Sequence, residues 1–162
     1  MTDALSFPAP SFPERAAAIR LAVARLCGQL GWAPLHEVGL PNGRRADVLA
    51  LRPDGGCACI EVKSGPRDFL TDSKWPEYRA FSDALYFAVD ADFPQELLPP
   101  DTGIIVTWER QADILREAPA HPLAPARRRT LLHRFASLAT MRLSAYEDPD
   151  GAVLLRAALR VE

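Results

Sequence analysis

The feature that most restricts the fold is a pair of alternating runs, "RRADVLALR" (44–52) and "CACIEVK" (57–63), joined by the turn "PDGG" (53–56). A side-chain period of two sets Ala46, Val48 and Ala50 on one face of the first run and Arg45, Asp47, Leu49 and Leu51 on the other. The second run groups Ala58, Ile60 and Val62, with Cys59, Glu61 and Lys63 opposite. Paired as antiparallel strands, the two bring Asp47 and Glu61 close on one face. A preceding strand, "APLHEVGL" (33–40), leads into "PNGR" (41–44), whose Asn-Gly pair favours a tight hairpin turn. The three together predict an antiparallel meander.

Helical spacing of Ile19, Val23, Leu26, Cys27 and Leu30 predicts a first helix from Glu14 to Gly28 or Gly31. Residues 1–13, with Pro8, Pro10 and Pro13, read as a flexible arm, leaving 14–162 as a single domain. After the meander, a short helical piece is expected over 67–73, then a helix from Pro76 to about Ser82. "DALYFAVD" (83–90) reads as a buried central strand with "GIIVTW" (103–108) as its neighbour, and "ADILREA" (112–118) as a further short strand. A long helix is predicted over 126–144, with Leu131, Leu132, Phe135, Leu138 and Ala139 as its core stripe. The run "AVLLRAALRV" (152–161) fits helix and strand equally. The order gives a mixed α/β sandwich around a central sheet.

With 48% hydrophobic residues in 162, the chain can build one substantial core. Its net charge of −2 excludes a whole-molecule attraction to polyanions, so any such partner must be held locally. Cys27, Cys57 and Cys59 lack the spacing of a zinc site and are expected to be buried free thiols. No basic-then-apolar leader and no apolar run of spanning length occurs, so a soluble, cytoplasmic protein is expected.

Of the 19 lysines and arginines only Lys63 and Lys74 are lysine. Arginine is a fixed fork, whereas lysine offers a compact ammonium with a tunable pKa, so lysine at these positions hints at a specific role. Glu61 and Lys63 satisfy two arrangements. They can form an exposed cross-strand pair on a solvated face, with Asp47 a third outward residue. Alternatively the face is covered by a helix, which Leu49, Leu51 and Cys59 on the same phase favour. Two covered carboxylates need a cation between them, and hard oxygen donors suit Mg²⁺ or Mn²⁺.

Asp47, thirteen residues, then Glu61-Val62-Lys63 resembles the PD-(D/E)XK nuclease signature, and the helix, three-strand meander, helix, strand order is similar to the core of that superfamily. More narrowly, "GRRADVLAL…IEVKSGPRDFLTDSKWPEYRAFSDALYFAV", with "GIIV" and "LAPARRRTLLHRFASLA" downstream, resembles the MmcB family of DNA repair proteins. The resemblance implies a restriction-endonuclease-like mixed sheet flanked by helices. It implies a metal-dependent DNA endonuclease of repair or recombination, acting through Mg²⁺ or Mn²⁺. Asp47 and Glu61 would ligate the metal with the Val62 carbonyl, and Lys63 would orient the attacking water. Glu14 sits where some members place a further carboxylate, and equally suits a first-turn acid favoured by the helix dipole. Lys74 and Tyr78 are similar to a Gln-x-x-x-Tyr element, with lysine replacing glutamine.

Residues 118–146 carry Arg127, Arg128, Arg129, Arg134 and Arg142 and no acid, whereas 90–117 hold seven acids against two arginines. With Arg44, Arg45, Arg67 and Arg79, this basic run is expected to grip a DNA backbone, although a solvated helix face has the same pattern. Trp32, Trp75 and Trp108 are expected in the core; Trp75 beside Lys74 has a second reading as a platform for a displaced base. A homodimer and repair-protein partners are further expectations. The alternatives are a nuclease-fold DNA-binding scaffold that cuts poorly and an RNA- or transcription-related member of the fold.

Overall fold

The computed structural model describes residues 10–160. Six strands form one sheet in sequence order, β1 (Ala33–Gly39), β2 (Arg45–Leu51), β3 (Cys57–Lys63), β4 (Ala84–Asp90), β5 (Gly103–Trp108) and β6 (Gln111–Arg116). β1–β2–β3 is the antiparallel meander that the alternation predicts. β4 then pairs parallel to β3 and β5 parallel to β4, while β6 returns antiparallel. Every residue of β3 is buried, as are the first six of β4, which makes these two the centre of the molecule.

Helix α1 (Phe12–Gln29) covers one face, setting Ile19, Val23, Leu26 and Cys27 against Val48, Ala50, Ile60, Tyr86 and Ile105. Helix α3 (Pro125–Glu147) covers the other, with Leu131, Phe135 and Leu138 against Leu49, Cys57, Cys59 and Leu85. The crossover from β3 to β4 runs through α2 (Pro66–Thr71) and a 3₁₀ turn (Trp75–Phe81) and buries Phe69 against Phe87. The result is a mixed α/β sandwich with helices on both faces.

Some expectations shift. Helix α1 begins at Phe12, inside the segment read as an arm, because Ser11 and Glu14 cap it; the rest of that arm, residues 1–9, lies outside the described residues. Residues 75–81 wind as 3₁₀ and not as the expected α-helix. The ambiguous C-terminal run is α4 (Pro149–Leu159), started by Asp148, whose carboxylate accepts the Gly151 N–H, and packed on α3. Ala46 joins the α3 side with Leu49, out of phase with Val48, and the left-handed Glu37 of the edge strand falls between their partners, Val38 opposite Ala46 and His36 opposite Val48. Trp108 is 43% exposed and not core. All three cysteines are buried free thiols, as expected. Among the described residues no helix is long and apolar enough to cross a membrane.

Candidate active site

The hydrogen-bonded register of β2 with β3 runs from Leu51–Cys57 to Val48–Ile60 and stops one residue short of Asp47 and Glu61. β3 continues beside β4 as far as Lys63–Val89, so it is β2 that peels away. Side chains take over the lost ladder. Asp47 Oδ2 accepts the Val62 N–H at 2.8 Å, and Glu61 Oε1 accepts the Asp47 N–H at 3.3 Å. The two main-chain donors at the fork are thereby satisfied. Among the described residues no hydrogen bond reaches Asp47 Oδ1 or Glu61 Oε2, so each carboxylate keeps one open oxygen.

The fork opens into a cavity of about 380 Å³ roofed by α1 through Pro13, Ala16 and Arg20. Glu37, Asp47, Glu61, Asp68 and Asp72 line it against only two cations, Arg20 and Lys63. Glu61 is 3% exposed. Burial first, and the Asp47 charge second, push its carboxyl up to about 8. Burial also raises Asp47, against the pull of the Val62 N–H and Lys63. A covered pair of carboxylates raised together gains from a cation. Two hard oxygen donors in a cavity with surplus negative charge fit a divalent ion such as Mg²⁺ or Mn²⁺, which takes few protein ligands and keeps its waters. Among the described residues no group of three or more His, Cys, Asp or Glu side chains is placed to hold a metal ion.

Lys63, 6% exposed, points its ammonium into the same cavity, where Nζ lies 2.6 Å from Asp72 Oδ2. Burial raises Asp72, but the bonds from Lys63 and from the Lys74 N–H outweigh it, and its carboxyl stays below the ordinary value. Tyr78 also lines the cavity, its hydroxyl donating to the Arg45 carbonyl at 3.2 Å and its phenol raised by burial.

Other expected site residues lie apart. Glu14 does not line the cavity; its carboxylate accepts the Ser11 N–H and hydroxyl, each at 2.7 Å, as a helix cap. Lys74 is exposed at the start of the 3₁₀ turn and does not line the cavity. Trp75 stands edge-on to Phe87 beneath the Arg79 guanidinium, which removes it as a free platform.

The basic run is not one track. Arg128 forks onto Asp83 and also donates to the Gly55 carbonyl, and Arg127 donates to the Ala80 carbonyl. Gly55, Asp83 and Cys57 mark the end of the sheet remote from Glu61 and Lys63, about 13 Å and about 20 Å away along β3 at ~3.3 Å per residue. Arg134 lies between α3 and α4, and Arg44 is a fork on Glu77. Arg45, Arg67 and Arg129 are exposed.

Sequence reasoning missed Arg20, Glu37, Asp68 and Asp72. Asp68 and Asp72 are four apart after "SGP", a spacing that puts two acids on one side of a helical turn, and this was the available signal. Glu37 carried none. It adopts φ +50°, a left-handed conformation rare outside glycine, because Arg142 reaches across from α3 to the His36 and Glu37 carbonyls. The kinked Glu37 side chain meets Arg20 at 3.6 Å and Arg45 at 3.8 Å.

No curated protein matches the chain. A solved structure, the SPO1766 protein of unknown function from Silicibacter pomeroyi, is 39% identical over 89% of this chain and 97% of its own, with a TM-score of 0.79. The profile of the MmcB-like DNA repair proteins matches residues 6–150, a span that takes in the fork, its cavity and both covering helices. A match of that extent settles kinship: the chain belongs to the MmcB-like family of DNA repair proteins.

Proposed function

We propose that the protein is a divalent-cation-dependent DNA endonuclease that hydrolyses phosphodiester bonds during DNA repair. The observation that supports this most directly is the strand fork, where Asp47 and Glu61 each keep an open oxygen in a cavity shared with Lys63. Asp47 and Glu61, with the Val62 carbonyl, would hold Mg²⁺ or Mn²⁺, which when bound supplies charge neutralisation at the scissile phosphate and acidifies a water. The chain's own groups do the remaining work. The main-chain bonds to Asp47 and Glu61 fix both carboxylates relative to β3, so that negative charge is presented without reorganisation. The Lys63 ammonium, beside them, stabilises the charge that builds on the phosphoryl oxygens. Arg20, Arg45 and Arg67, on the cavity wall or exposed near it, are placed to hold backbone phosphates without reading sequence.

The test is incubation of branched, nicked and single-stranded DNA with Mg²⁺ or Mn²⁺, comparing wild type with Asp47→Asn and Lys63→Ala. Metal-dependent cutting lost in both variants is the expected result. Cutting that survives both changes refutes the site. A second reading, a nuclease-fold scaffold that binds DNA without cutting, draws on the Lys63–Asp72 pair, which occupies the ammonium the chemistry needs. Tight binding with no cutting by wild type would select it.

A further inference from the structure

A second concavity adjoins the catalytic cavity and shares Pro13, Ala16 and Asp68 with it. Its wall is Phe12 from the first turn of α1, Ser64 at the end of β3, and Arg67 and Thr71 from α2. Phe12 is 66% exposed, although it is the first residue of a well-capped helix, and its ring edge lies beside the main chain at Gly65. Leu70, on the same helix as Arg67, is 68% exposed. Burial against the core explains neither residue. Two further aromatics close to the site are already committed, Trp75 to Phe87 and Arg79 and the Tyr78 hydroxyl to the Arg45 carbonyl.

We propose that this groove is a nucleobase site: Phe12 stacks on an unpaired base of the DNA strand whose neighbouring phosphate enters the catalytic cavity. Three features favour a base over a peptide or a lipid. The groove is continuous with the cavity that would take the phosphate once a divalent cation is bound, so a bound strand runs from one into the other. Arg67 stands at the rim, where the backbone between base and phosphate carries its charge. The Ser64 and Thr71 hydroxyls donate within the chain, to the Asp68 carboxylate and to the Arg67 and Asp68 carbonyls, so their oxygens and the second Asp68 oxygen face the groove as acceptors for the amino and imino N–H groups of an unstacked base. The preferred substrate is therefore DNA with an unpaired nucleotide beside the cleaved bond, in a single strand, a bulge or a displaced flap. This rests on the nuclease reading for its phosphate and adds the substrate class.

The experiment uses the full chain in EDTA, so that binding is separated from cutting, with fluorescence anisotropy on three probes: a single-stranded oligonucleotide, a duplex with a one-nucleotide bulge, and the matched duplex. Phe12→Ala should weaken the first two by about 5- to 100-fold, the range expected from one stacked base, and the matched duplex by less than about twofold. Phe12→Trp should restore binding, which a merely structural role at the helix start would not require. Equal loss on all three probes, or no loss on any, overturns the base site. If wild type cuts DNA in Mg²⁺ and Phe12→Ala binds like wild type, only the base site has failed. If wild type binds none of the probes in EDTA, the base site fails, and the nuclease reading falls with it only if cutting in Mg²⁺ is absent as well.

Discussion

Lys63 Nζ lies 2.6 Å from Asp72 Oδ2, a bond that ties the end of a central strand to the linker between a short helix and a 3₁₀ turn. Both partners are largely covered, and the aspartate is held in turn by the Lys74 N–H. The ammonium on which the proposed chemistry depends therefore has a fixed direction before substrate arrives. On the proposed chemistry, Asp72 would act through Lys63 as a positioning residue.

Removing that partner tests the assignment. Asp72→Ala should slow cleavage about tenfold with little change in KM, and lower stability by about 1–3 kcal/mol, below the value for a fully buried pair because Asp72 keeps some solvent contact. Asp72→Asn, which still accepts a hydrogen bond, should recover most of the rate. Single-turnover kinetics beside denaturant titration separates the two effects, and an unchanged rate in Asp72→Ala would deny Asp72 any part.

Asp47 does two jobs that substitution can split. Asp47→Asn keeps a carbonyl oxygen for the Val62 N–H and should fold with near wild-type stability while losing cleavage. Asp47→Ala leaves that N–H without its partner and should cost about 1–3 kcal/mol besides. Equal stability of the two variants in urea melts would mean the strand fork does not need this bond.

The pH dependence of stability follows from Glu61. In the folded protein its carboxyl is pushed up to about 8, against an ordinary 4.5 when unfolded. Between those values the folded state binds more protons than the unfolded one, so the Glu61 contribution to stability is fully present below about 4.5 and is lost as pH rises through about 8. Calorimetry of the cation-free protein should show Tm dropping between about pH 5.5 and about pH 8.5. Glu61→Gln should flatten that slope; the same slope in both proteins would assign the titration to another group.

Arg128 and Arg67 should behave as opposites. Asp83 accepts the Cys57 and Leu123 N–H groups and both arms of Arg128, so this cluster is a buckle between sheet and α3. Arg128→Ala should lower stability by about 1.5–3 kcal/mol and leave the salt dependence of DNA binding alone. Arg67→Ala should leave stability within about 0.5 kcal/mol and reduce the salt slope of DNA affinity by about 1. A changed slope in Arg128→Ala would return it to the interface.

Alternation by itself determined the meander and put Asp47, Glu61 and Lys63 on one phase, because a strand's side-chain period is local geometry. Continuous apolar character likewise marked β4 and β5 as interior strands. What only the tertiary structure decided came from contacts between residues far apart in the chain. The fork of β2 from β3, the left-handed Glu37 held by Arg142, and the Lys63–Asp72 bond have no local pattern, since each depends on which element arrives beside which. The arginine run shows the same limit: its composition was plain, but the register of α3 on the sheet turned Arg128 into a structural fork and set it at the far end from the site.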